Sequence, residues 1–203
     1  MGIQAPAGTA PSPAPSSRLR DLREDAADWC RGRSPWWRLP ILLWLAWSAW
    51  RILRDPEAPS ILGGITFGIH ELGHLVTMGL GTFVSVACGS LFQVLAPLLV
   101  GALLARQRDY FGVCFAAGWL GYSLTSLSVY VGDARARQLP LLGFTDDPIH
   151  DWNYLLGKLG LLSADKALAG ALRVGAAAVW LSGIACGAWL LWRMATSERR
   201  TPS

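Results

Sequence analysis

His70 and His74 stand four positions apart with Glu71 beside the first, and no other trio in the chain is as well suited to chemistry. On an α-helix, residues four apart project from one face a turn apart, so two imidazoles can reach one metal ion at about 2.0–2.1 Å. Zinc held in this way lowers the pKa of a bound water toward about 7, which makes hydroxide available at neutral pH. Glu71 then lies near the open side of the ion, where a carboxylate takes the water's proton and hands it to a leaving amine. The chain holds only three His, so a His-Glu-x-x-His arrangement is improbable by chance.

Location adds to the signal. The three residues sit in an apolar run from Ile61 to Leu80. An ionisable side chain at the centre of a membrane helix costs about 2.5–3.5 kcal/mol even on lenient insertion scales, so three together call for a stabilising partner. The plainer reading is a hydrogen-bonded polar cluster without metal.

The segment Gly68-Ile69-His70-Glu71-Leu72-Gly73-His74-Leu75 resembles the metal motif of the site-2 protease family of intramembrane metallopeptidases. The resemblance covers about one helix, with the multi-span layout in general agreement. It implies Zn2+ as cofactor, Glu71 as the catalytic residue, and membrane-spanning or membrane-associated proteins as substrates. It also implies a third ligand from a Leu-Asp-Gly motif in a later apolar segment, and this chain has none.

Three protein ligands to zinc require one more residue. Asp146-Asp147-Pro148-Ile149-His150-Asp151-Trp152 holds the only other histidine. His150 is the expected third ligand, with Asp151 as the alternate or as a carboxylate that orients an imidazole, and Asp133 as a more distant choice. Their bland readings are a solvated loop residue for His150 and a helix N-cap for Asp151. Gln93, in the third apolar run, is placed either to contact substrate or metal-bound water or to hydrogen-bond a neighbouring helix. Tyr122, Ser126 and Tyr130 recur at helical spacing near Ser123, Thr125 and Ser128, a polar face that lines either a wet cavity or a helix interface. Gly63, Gly64, Gly68, Gly73 and Gly79 permit close helix approach around the motif.

The elements that must position these residues are written in the composition. Of 203 residues, 52% are hydrophobic and 16% charged, against roughly a quarter charged in an ordinary soluble domain. Lipid is therefore the expected solvent. Apolar runs cover Trp36 to Ile52, Ile61 to Leu80, Thr82 to Ala105, Tyr110 to Val131 and Leu168 to Met194. A crossing needs about 20 residues, so the first run is marginal and the other four read as spans. A short amphipathic helix is expected around Asp151 to Leu162. The fold class is all-α, a polytopic helical membrane protein with about 4–6 transmembrane or re-entrant helices. The domains read as a disordered tail at 1–17, a surface helix at 18–34 capped by Ser16 or Ser17, a transmembrane domain at 35–195, and a polar tail at 196–203.

Six Arg, from Arg18 to Arg38, lie before or at the start of the first run, which favours a cytoplasmic N-terminus in a multi-pass protein. Arg supplies 16 of the 18 basic residues, a usage that fits a bacterial gene and its inner or plasma membrane. Membrane lipid is thus a partner. With no basic stripe interleaved with aromatics, nucleic acid is not. Cys30, Cys88, Cys114 and Cys186 form no C-x-x-C pair and read as small buried hydrophobes.

The leading function on these grounds is hydrolysis of peptide bonds in membrane-associated substrates. Two other roles use the same residues. A zinc-binding membrane scaffold or regulatory protein would tolerate loss of Glu71. A small ion or proton transporter would use His70, Glu71 and His74 as a path, although no inverted repeat accompanies them.

Overall fold

A computed structural model describes residues 15–140 and 149–198. Residues 1–14 of the expected tail, Asp146 and Asp147 of the expected metal-binding stretch, and residues 199–203 of the C-terminal tail lie outside the described residues. The described chain is all α, in seven helices joined by two single turns of 3-10 helix, with no strand among the described residues.

Helix α1 (Pro15–Trp29) begins at a proline, whose missing N–H and fixed φ suit the first turn. It therefore starts earlier than a cap at Ser16 or Ser17 would place it. It packs on the end of the last helix, where Ala26 and Cys30 meet Leu190, Leu191 and Met194.

Helix α2 (Arg38–Arg54) ends before Asp55-Pro56, and α3 (Ile61–Thr77) opens at Ser60, whose hydroxyl accepts from Leu62 N–H at 3.2 Å. A 3-10 turn (Met78–Leu80) closes α3, and Gly81, at φ +93, reverses the chain in a conformation that side-chain-bearing residues avoid. Next come α4 (Thr82–Arg106), with Pro97 inside it, and α5 (Tyr110–Gly132), capped by the Asp109 carboxylate on Gly112 N–H at 3.0 Å. The short α6 (Asp151–Lys158) and long α7 (Asp165–Glu198) complete the fold.

Three helical stretches among the described residues are long and apolar enough to cross a membrane: Thr82–Arg106, Tyr110–Gly132 and Leu162–Ser197. The described residues thus adopt the expected all-α polytopic helical fold, with α2 and α3 shorter than these three stretches. At 17 residues each, α2 and α3 rise only about 26 Å, short of the roughly 30 Å hydrocarbon core. Proline and glycine at their ends, invisible to a count of apolar residues, set that limit.

The centre of the bundle is the α5–α7 pair. Gly118 and Gly121 leave room for the fully buried Trp180, and a Cβ on Gly121 would stand 2.7 Å from its ring. Gly183 lies against Ala117 and the Cys114 carbonyl, and Gly187 against Leu42. In lipid such close backbone approach replaces the hydrophobic effect as the source of packing energy. Helix α4 lies beside α5, and α3 beside α4. Gly73 of α3 fits the Cys88–Gly89 backbone of α4 so closely that a Cβ would sit 2.3 Å from the Cys88 carbonyl. Gly63 meets the Tyr122 hydroxyl, while Gly64, Gly68 and Gly79 have open space instead of the expected neighbour.

Candidate metal centre

The α3–α4 crossing sets the site. Because Gly73 brings the two backbones together, His70 and His74 project onto α4 within reach of backbone groups. Each imidazole is fixed by its Nδ1. His70 Nδ1–H donates to Gln93 Oε1 at 2.8 Å, and the Gln93 amide in turn donates to the Ser123 carbonyl of α5 at 3.1 Å. His74 Nδ1–H donates to the Ser85 carbonyl at 2.9 Å, and Ser85 Oγ donates back to the His74 carbonyl at 3.1 Å. Carbonyl oxygens only accept, so each Nδ1 carries the hydrogen and each Nε2 a lone pair.

Those two lone pairs face each other across 3.0 Å, and the Asp151 carboxylate completes a triangle. Its Oδ2 lies 3.0 Å from His70 Nε2 and 3.2 Å from His74 Nε2. Three electron-rich atoms converging in this way repel one another unless a cation lies among them. Tetrahedral ligands about 2.0 Å from zinc stand about 3.3 Å apart, so the spacing suits that ion, as does a His/His/carboxylate donor set.

Gly89 of α4 makes the space. A Cβ there would approach His74 Cε1 and Nε2 to 2.5 Å and His70 Nε2 to 2.8 Å. Glu71 stands half-buried at the edge, with ligand atoms of His70, Glu71 and His74 all within 4.8 Å of one another. The group can hold a metal ion.

The structure turns His150 away from this centre, which corrects its expected place as third ligand. Its ring is buried, but Nε2–H donates to Asp133 Oδ2 at 3.2 Å and Nδ1 accepts from Asn153 N–H at 3.3 Å. His150 is thus the N-cap of α6, the role that the bland reading gave to Asp151, and Asp151, the alternate choice, is the residue that meets the imidazoles. The one-residue offset has a simple cause: an N-cap side chain folds over its own helix, whereas the first helical residue is free to point outward.

Asp133 is thus the partner of His150. Its carboxylate also accepts from Gln138 N–H and Leu139 N–H, both at 3.0 Å. Burial pushes its pKa up, but these amides and His150 outweigh it and hold the carboxyl below its ordinary range.

Several supporting groups carried no signal in the sequence. Ser85 contributes a backbone carbonyl, which any residue has. Gly89 contributes an absence of atoms. Ser90 Oγ accepts from Trp152 Nε1–H at 3.0 Å and so ties α6 to α4. Tyr130 was visible as part of a polar face, and its hydroxyl accepts from Asp151 N–H at 3.0 Å. Elsewhere on that face, Thr125 and Ser128 are buried and bond back to carbonyls of α5.

The centre lies toward one end of the bundle. His74 precedes the end of α3 by three residues and His70 by seven, about 5 and 10 Å along the axis. Comparison with protein-family profiles, with curated proteins and with solved structures finds no match to the chain, so the centre is read from its own geometry.

Proposed function

We propose that the chain is a zinc-dependent peptidase of the membrane, hydrolysing peptide bonds of membrane-associated proteins close to the bilayer edge. The observation that carries this reading is the convergence of His70 Nε2, His74 Nε2 and Asp151 Oδ2 at 3.0–3.2 Å, with a carboxylate beside them that is not one of the three. His70, His74 and Asp151 would hold the ion. When bound, zinc supplies a Lewis acid that brings water's pKa to about 7 and polarises a carbonyl.

The remaining work falls to the chain itself. Gln93 and the Ser85 carbonyl keep both Nε2 lone pairs directed inward, the outer-shell support that holds ligands in one tautomer. Glu71 accepts a proton from water at its carboxylate and returns it to the departing amine nitrogen. Its position at the half-buried edge leaves one side of the group open to substrate. The packing of Gly73 on Cys88 holds the α3–α4 frame rigid around the group.

A shared proton is the other cation that fits the triangle, and metal analysis separates the two. Protein purified in detergent and supplied with zinc should retain one equivalent after desalting. Co-expressed with single-span reporter proteins, it should yield fragments that disappear with Glu71→Gln and with a zinc chelator. Absence of bound zinc, or fragments that persist in Glu71→Gln, would overturn the proposal.

A further inference from the structure

We infer that α2 and α3 are the two halves of one broken membrane crossing, so that both ends of the chain face the cytoplasm and the metal centre opens at the opposite leaflet. The substrate segments it meets are then those presented from the extracytoplasmic side. That last step rests on the peptidase reading; the topology does not.

The direction of each helix follows from its partners on α5. Trp37, just before α2, meets Phe111 with ring centroids 6.4 Å apart, and Trp44 stacks on Phe115 at 6.3 Å. Leu45 lies against Gly118, where a Cβ would stand 2.7 Å from its Cδ2. Helix α2 thus runs parallel to the first half of α5. Leu62 shares a core cluster with Leu45, Ala49 and Trp180, and Trp180 abuts Gly121, so α3 begins where the packed part of α2 ends. It continues the same way: Gly63 meets the Tyr122 hydroxyl, and the His70 ring lies 6.0 Å from that of Tyr130. Helix α4 runs back against it, pairing His70 with Gln93 and His74 with Ser85. Each half alone is too short to cross. Together they rise about 18 Å from Trp37 to Ala49 and about 22 Å from Leu62 to Thr77, enough for the roughly 30 Å core.

The linker between the halves lies near the level of Gly121, the middle of α5. Backbone outside a helix is tolerated at that depth only against water or protein. Arg54, Asp55 and Glu57 are exposed there, so this flank of the bundle is not a plain lipid face.

Among the described residues, one crossing from α2 and α3 with α4, α5 and α7 makes an even number, which returns the end of α7 to the side of α1. The packing agrees, since Cys30, just past α1, meets Leu190 and Met194. Charge then decides which side this is. The six Arg from Arg18 to Arg38 belong to it, with Arg106 and Arg108 between α4 and α5 and Arg193 near the end of α7. The far side has only Arg135, Arg137, Lys158 and Lys166. The side richer in Lys and Arg is the cytoplasmic one. The centre belongs to the far side, because Tyr130 stands two residues from the end of α5 and its hydroxyl accepts from Asp151 N–H at 3.0 Å.

Labelling with a membrane-impermeant maleimide on intact cells that express the full chain tests this. In a Cys186→Ser background the remaining cysteines are buried. Single cysteines replace the exposed Leu22 on α1, Gln107 between α4 and α5, and Ala136 after α5. Ala136→Cys should react directly, and Leu22→Cys and Gln107→Cys only after permeabilisation. Leu22→Cys and Gln107→Cys on opposite sides would overturn the broken crossing, because separate crossings by α2 and α3 place them so. Direct reaction of both, or protection of Ala136→Cys, would overturn the placement of the centre. The substrate step is read with single-span reporters that carry one unstructured juxtamembrane segment on either side. Fragments should come only from the extracytoplasmic position, and cleavage at the cytoplasmic position would overturn that step. Labelling as expected with no fragments from either position would instead overturn the peptidase reading and leave the topology standing.

Discussion

Gly89→Ala is the sharpest test of the metal centre, because it adds one methyl group at the point where the two imidazoles converge. The added Cβ would lie 2.5 Å from His74 Nε2 and 2.8 Å from His70 Nε2, where ordinary contact begins at 3.4 Å. His74 must then retreat by about 0.9 Å, yet its Nδ1 is held to Ser85 and Gly73 pins the backbone behind it. Metal ligands tolerate only about ±0.2 Å, so at least one imidazole is lost from the set. A misplacement near 1 Å at a functional site costs about 100-fold, and loss of a ligand more. Zinc affinity should therefore fall at least 100-fold, measured by competition with a chromophoric chelator in detergent. The helix itself gains, since alanine is about 1 kcal/mol better than glycine in a helix interior, so misfolding is not the expected cause. Gly68→Ala on α3, where a Cβ meets nothing within 4 Å, supplies the control and should bind zinc as the parent does. Parental affinity in Gly89→Ala would refute the geometry.

Other outcomes follow from the same contacts. Glu71→Gln should keep its zinc and lose about 100- to 10,000-fold in peptide cleavage, read by fragment appearance against bound metal. Asp151→Ala should abolish tight zinc binding, whereas His150→Ala should leave three ligands in place and lower affinity by about tenfold through a looser α6; the reverse ranking would restore His150 as the ligand. Gln93→Leu frees the His70 ring and should reduce zinc affinity about 10- to 100-fold without removing a ligand. For Asp133, the folded carboxyl titrates below its ordinary 3.8, so its contribution is complete above that value and is lost as pH falls through the lower folded pKa. Thermal unfolding of metal-free protein should therefore weaken between pH 4 and more acid solution, and Asp133→Asn should flatten that slope.

What could be read from the sequence divides along a physical line. His70, Glu71 and His74 were legible because a helix converts a spacing of four into a shared face, a rule that needs no tertiary information. The apolar runs were legible for the same reason, and all five map onto helices. The lengths of α2 and α3 were not, since Pro56, Pro59 and Gly81 cut the helices before the apolar residues run out. Choosing between His150 and Asp151 needed the position of the α6 cap, one residue either way, which sequence signals place only to within a residue or two. Gly89 and Ser85 were beyond reach altogether, because one acts through the space it leaves and the other through its main chain. The centre thus consists of a short legible motif on one helix and a receptor on α4, α5 and α6 that only the packing assembles. That asymmetry is why the decisive substitution lies on α4, facing the motif, and not within the motif itself.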